Sequence, residues 1–210
     1  MFHREYECPS CGAPIRQTLP GSRSLACTYC GQTSHINADS LEAVGSQNLL
    51  IDYGSSLSVG MEAQLDGRDL VVLGRLRFDY DDGFWDEWYV QFTDNGNEGW
   101  IQEDDGSFVL FHPWGMLARP LSLEDVRVGR MFEIGDEWPP IFVVAKSEAH
   151  INGGEGELPF RIVPGEQAHF VEGLADGRIV SIELLPSTMP VFAGTPFGLE
   201  VLVPRGTPAA

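Results

Sequence analysis

FWDEWYVQFTDNGNEGWIQ, residues Phe84 to Gln102, holds three of the five tryptophans of the chain and its clearest strand-turn-strand signal. Trp88, Val90 and Phe92 alternate with Tyr89, Gln91 and Thr93, and a period of two places successive side chains on opposite faces of a strand. Asn95-Gly96 supplies the turn, because both central residues of a type I′ turn need a positive φ that Asn and Gly adopt most easily. A two-residue turn there pairs Val90 with Ile101 and Gln91 with Trp100. One face, Trp88, Val90 and Ile101, is then core. The other carries Tyr89 and Trp100 outward with Trp85 nearby, and these three form the candidate interaction surface, since amphipathic aromatics are enriched in protein interfaces.

Outward from this hairpin, Met61–Leu65, Asp69–Phe78, Glu87–Thr93, Glu98–Gln102 and Ser107–His112 read as five short strands punctuated by Asp66-Gly67, Asn95-Gly96 and Asp105-Gly106. They predict a first β-module over residues 59–120. A second, over 121–204, carries strands at Met131–Ile134, Ile141–Ser147, Leu158–Val163, Ala168–Glu172, Arg178–Leu184 and Leu199–Val203, with a turn at Asp176-Gly177. Gly153-Gly154-Glu155-Gly156-Glu157 reads as a mobile turn, since it lacks the Lys and following helix of a phosphate loop. Val59-Gly60-Met61 and Val128-Gly129-Arg130-Met131 open the two halves alike and hint at a tandem repeat. The predicted class is mainly β: an N-terminal zinc ribbon followed by two small antiparallel, SH3-like barrel modules.

The ribbon comes from the only cysteines in the chain, Cys8-Pro9-Ser10-Cys11-Gly12 and Cys27-Thr28-Tyr29-Cys30-Gly31. Two Cys-x-x-Cys-Gly knuckles can aim four thiolates at one point, and an all-sulfur tetrahedron leaves no position for water, so one structural Zn2+ is expected on Cys8, Cys11, Cys27 and Cys30. Two disulfides, iron, or a redox dithiol are the competing readings. His35 is expected at the surface. The ribbon is assigned to residues 1–38, a linker with one helical turn near Leu41–Val44 to 39–58, and a poorly ordered tail to 205–210.

Thirteen Lys and Arg face 31 Asp and Glu, a net charge of −18. The block from Asp79 to Asp105 carries ten carboxylates and no basic residue. Such a surface repels nucleic-acid phosphate. No run reaches the roughly 20 apolar residues of a membrane span, and the start lacks the pattern of a signal peptide, so the expected compartment is the cytoplasm. Acid–base candidates are His112, Glu148, His150, Glu155, Glu157 and His169, at spacings that define no catalytic motif. Asp79, Asp81, Asp82 and Asp86 lack the alternating ligands of a calcium loop.

The ribbon, Val59-Gly60-Met61, Val72-Leu73-Gly74-Arg75, Glu87-Trp88-Tyr89, Gly99-Trp100-Ile101 and Gly156-Glu157-Leu158-Pro159 together resemble a bacterial family known as domain-of-unknown-function family 4178. The resemblance brings no reaction. It implies an accessory role near membrane-stress and polyamine-synthase-like proteins, by association of genes. The expectation is a non-enzymatic zinc-binding adaptor that meets a protein partner. The alternative is an enzyme or a binder of a cationic metabolite, such as a polyamine, using the second β-module.

Overall fold

The computed structural model describes residues 2–117, 119, 121–135, 138–184 and 189–205. The chain is mainly β. Its strands are β1 (Arg4–Glu7), β2 (Pro14–Gln17), β3 (Ser24–Ala26), β4 (Thr33–Asn37), β5 (Ser40–Val44), β6 (Glu62–Leu65), β7 (Arg68–Tyr80), β8 (Gly83–Phe92), β9 (Glu98–Asp104), β10 (Ser107–Met116), β11 (Met131–Phe132), β12 (Ile141–Leu158), β13 (Gln167–Ala175), β14 (Arg178–Leu184), β15 (Pro190–Phe197) and β16 (Leu202–Pro204). Short 3-10 turns at Leu123–Asp125 and Leu199–Val201 are the only helical elements among the described residues. None is long and apolar enough to cross a membrane.

Eight antiparallel strands close on themselves in the order β7-β8-β9-β10-β15-β14-β13-β12, and β12 pairs back onto β7. The two expected modules are thus the two halves of a single barrel, four strands from each. Closure satisfies every edge that two small open modules would have left unpaired. The halves open with the same device. Gly60 N–H donates to the Val72 carbonyl and Val72 N–H to the Met61 carbonyl; Gly129 N–H donates to Val143 and Val143 N–H to Arg130, all at 2.8–3.0 Å. A register shift follows in both cases, at Val72/Gly74 and at Val143/Ala145. The likeness of the two openings in sequence is therefore a likeness in structure.

Three Asp-Gly turns behave as their composition demands. Asp66-Gly67, Asp105-Gly106 and Asp176-Gly177 hold positive φ at both residues and join directly paired strands. Asn95-Gly96 does not. Only Gly96 has positive φ (73°), Phe92 N–H donates to Asn97, and the loop has four residues, 93–96. Tyr89 consequently pairs with Trp100 and Trp88 with Ile101, a displacement of two residues that leaves every side chain on its expected face.

Both faces of the hairpin are buried, which corrects the expected interaction surface. Trp85 (7% exposed), Tyr89 (2%) and Trp100 (6%) point into the barrel, where they join Leu76, Phe78, Phe111, Phe170 and Phe192. Trp88, Val90 and Ile101 lie on the outside of the barrel and are covered by Leu57, Ala63, Leu65 and Leu202. Sheet closure turned the presumed solvent face inward. A third cluster, around Val143, Val171, Val180 and Ile182, packs beneath Leu121, Leu123, Val126 and Trp138 on the outside of the second half.

β12 departs most from expectation. Its 18 residues include Gly153–Glu157, predicted as a turn, which run extended from the barrel into the ribbon. The strand pairs β13 over its first part, β7 from Ile151 to Gly156, and β3 of the ribbon from Gly156 to Leu158. The glycines allow the crossing: a Cβ on Gly74 would lie 2.0 Å from the Glu157 carbonyl oxygen. β5 occupies the segment expected as a helical turn, and Leu199–Val203 is a 3-10 turn leading into β16. β15 was not anticipated. Of the expected tail, Arg205 donates its N–H to Glu62 (2.8 Å), and residues 206–210 lie outside the described residues.

Candidate functional site: a four-thiol cluster and an acidic barrel mouth

The four cysteine sulfurs lie within 4.8 Å of one another. Cys8 Sγ is 3.7 Å from Cys30 and Cys11 Sγ is 3.8 Å from Cys27. Four sulfurs about 2.3 Å from a central ion form a tetrahedron with edges of about 3.8 Å, so the cluster can hold a metal ion. Each knuckle is shaped by its glycine: Gly12 (φ 75°) donates to the Cys8 carbonyl and Gly31 (φ 71°) to that of Cys27, both at 2.9 Å. Without a cation the thiols oppose one another. Burial is outweighed at Cys8 by the backbone N–H groups of Cys11 and Ser10, which bring it down to about 7, whereas burial and neighbouring sulfurs push Cys30 up to about 12.

Ribbon and barrel are fastened at Glu157. Its carboxylate accepts from Thr18 N–H (2.6 Å), Thr18 Oγ1 (2.6 Å), Leu19 N–H (3.1 Å) and Ser22 Oγ (2.7 Å). Four donors on one buried carboxylate mark a clamp, not a proton-transfer group. His35, expected at the surface, is buried in the same junction with Nε2 3.0 Å from the Ile162 carbonyl oxygen.

On the outside of the barrel, Asp86 bridges Arg75 (2.7 Å) and Arg77 (2.9 and 2.7 Å), and Arg75 also approaches Glu155 at 3.6 Å. Arg77 Nη1 reaches the Ile51 carbonyl, and its guanidinium lies 4.0 Å from the Phe84 ring centroid and 5.1 Å from that of Tyr53. This network pins Ile51 and Tyr53 to the barrel, removes Glu155 from the acid–base candidates and commits Asp86, weighed above as a calcium ligand, to two arginines. His112 lies beside Glu98 and Phe92, away from the barrel interior.

The acidic block gathers elsewhere. The tight turns after β7, β9 and β13 lie at one end of the barrel, where a cleft of about 690 Å³ is lined by Asp79, Asp81, Asp104, Glu148 and Glu172 together with Tyr80, Trp85, Gln102, His150 and Phe170. No Lys or Arg lines it among the described residues. Phe78 stacks on Trp85 (centroids 5.0 Å) and Phe170 meets both edge-on, which gives the cleft an aromatic wall. His169 Nδ1 lies 3.7 Å from Glu148 on the rim.

Beside these rings, alternation along β8 and β14 turns Glu87 and Glu183 into the barrel, opposite the cleft residues Gln102 and Phe170. Trp85 Nε1 donates to Glu87 at 3.0 Å. Burial, outweighing that bond and assisted by Glu172, pushes Glu87 up to about 7; burial and the charge of Glu87 raise Glu183 well above the carboxylate range. Glu172 and Asp104 are raised as well, by burial first and by Asp104 and Asp105 respectively. The sequence placed Glu87 in an acidic block and left Glu172 and Glu183 unremarked; their strand positions carried the signal, but only a closed barrel makes that face an interior.

The fold and the two sites define an acid-mouthed, eight-stranded β-barrel carrying a four-thiol ribbon. The barrel is the part shared with other proteins: the chain belongs to the family described as Domain of unknown function (DUF4178), whose pattern matches residues 58–197. That span begins before β6 and ends with β15, so it covers the whole barrel and leaves the ribbon outside. No curated protein and no solved structure matches the chain.

Proposed function

We propose that this protein binds a small organic cation in the mouth of its barrel, and that the ribbon, carrying one structural zinc, braces the C-terminal end of β12. The observation that supports the reading is the lining of the cleft, five carboxylates around aromatic rings with no lysine or arginine among the described residues. Carboxylates attract an ammonium group, the ring faces favour it further, and low-dielectric walls focus the field. A polyamine fits this chemistry. Isothermal titration with 1,4-diaminobutane at low salt tests it: saturable binding weakened about tenfold in Glu172→Gln is expected, and no heat at millimolar ligand overturns it. For the metal, all-sulfur ligation favours zinc over oxygen-seeking cations.

The adaptor reading has a separate support. Met131 sits opposite Phe142 and Phe142 opposite Leu174, and all three are exposed large apolar side chains. Affinity purification comparing the native chain with Phe142→Asp is its test: a partner lost with that substitution supports it, and failure to recover any specific partner counts against it.

A further inference from the structure

The acids of the barrel stand in two tiers. Glu87 is directly opposite Gln102, and Asp104 lies two residues further toward the mouth; Glu183 is directly opposite Phe170, and Glu172 again lies two residues further out. Two residues of strand span about 7 Å. The outer tier, Asp104 and Glu172, lines the cleft; the inner tier, Glu87 and Glu183, comes from opposite arcs of the ring. Trp85, Phe78 and Phe170 form the wall beside them.

The inner tier lacks a partner. Glu183 is 8% exposed, shares its strand face with Ser181, and receives no hydrogen bond among the described residues, whereas Glu87 has only the Trp85 indole. No basic residue compensates them: the other titratable side chains at inward strand positions are Tyr80, Tyr89, Glu98, Asp104 and Glu172, and Arg75, Arg77 and Lys146 belong to the outer face. A single metal ion does not fit, because the cysteines are the one group of three or more ligand side chains close enough to share an ion among the described residues.

We propose that Glu87 and Glu183 are an inner subsite for a second ammonium group, so that the ligand of this barrel is a short linear molecule with a positive charge at each end. The inference rests on the mouth being a cation site and specifies what that site selects. Two carboxylates turned into one barrel interior with no basic side chain beside them do not both stay charged without compensation; a proton or a cation must supply it. In the empty barrel a proton serves. The inner ammonium group takes its place, and the proton leaves to solvent.

The experiment uses the full, zinc-loaded chain and two probes, 1,4-diaminobutane and butylamine, titrated calorimetrically at pH 6.5 in two buffers of different ionisation heat. The diamine should bind at least about tenfold more tightly than the monoamine and release up to about one proton. Glu183→Gln should bring the diamine to within about threefold of butylamine and abolish proton release. Glu87→Gln should do the same, and serves if the first variant does not fold. Equal affinities for the two probes in the native chain, or a diamine preference that survives both substitutions, overturns the inner subsite and leaves the mouth standing. If neither probe binds, the mouth reading falls and the subsite with it.

Discussion

Single carboxylates in this chain have opposite fates that composition does not distinguish. Glu157 accepts four hydrogen bonds from the ribbon loop, so Glu157→Leu leaves buried donors without an acceptor and should lower stability by about 3–5 kcal/mol in denaturant unfolding. Asp86 neutralises two buried arginines, and Asp86→Asn should cost a similar amount, about 3–5 kcal/mol, by leaving Arg77 uncompensated and Arg75 with Glu155 alone. Glu87 behaves differently. Its folded-state pKa is raised to about 7, so the folded chain holds a proton there that the unfolded chain, with a carboxylate near 4.3, has already lost. Stability contributed by that proton is present at pH 5 and disappears as pH rises through about 7. The thermal midpoint should therefore fall between pH 5 and pH 8, and Glu87→Gln should flatten the decline relative to the native chain, a comparison in which the general relief of net charge cancels.

At the scale of elements, the strands were legible wherever turn chemistry was explicit. The three Asp-Gly turns set their hairpins correctly, while Asn95-Gly96 belonged to a longer loop because Asn95 does not take positive φ. The resulting two-residue displacement preserved faces, which is why Trp88 and Tyr89 were correctly separated although their direct partners were not. What a period of two cannot say is which face meets solvent. Here neither does, since one face closes around the barrel interior and the other lies under β6 and β16. Gly153–Glu157 was misread because consecutive glycines signal a turn, whereas in β12 they permit a close crossing against β7 and the ribbon. Gly74→Ala tests that crossing. Its Cβ would collide with the Glu157 backbone, so a loss of at least about 3 kcal/mol is expected in urea unfolding, and an unchanged midpoint would show that the seam tolerates separation.

Across the whole molecule, the four cysteines were readable from spacing alone, because two knuckles carry their geometry locally; the acidic mouth was not, because Asp79, Asp104 and Glu172 meet only after eight strands close. Metal analysis should return about one zinc per chain, and a strong chelator should release the ribbon, read as rapid proteolysis within residues 1–38 while the barrel persists. The central claim concerns the mouth, and the indole signals provide its most direct test. Trp85 Nε1–H points at Glu87 beneath the cleft, whereas Trp88 Nε1–H is held by Glu103 on the outside of the barrel. In a nitrogen–proton correlation spectrum titrated with 1,4-diaminobutane, the Trp85 indole resonance should move saturably while that of Trp88 stays in place. A Trp85 signal that does not move, at ligand concentrations where the chain is shown to bind, would contradict the account.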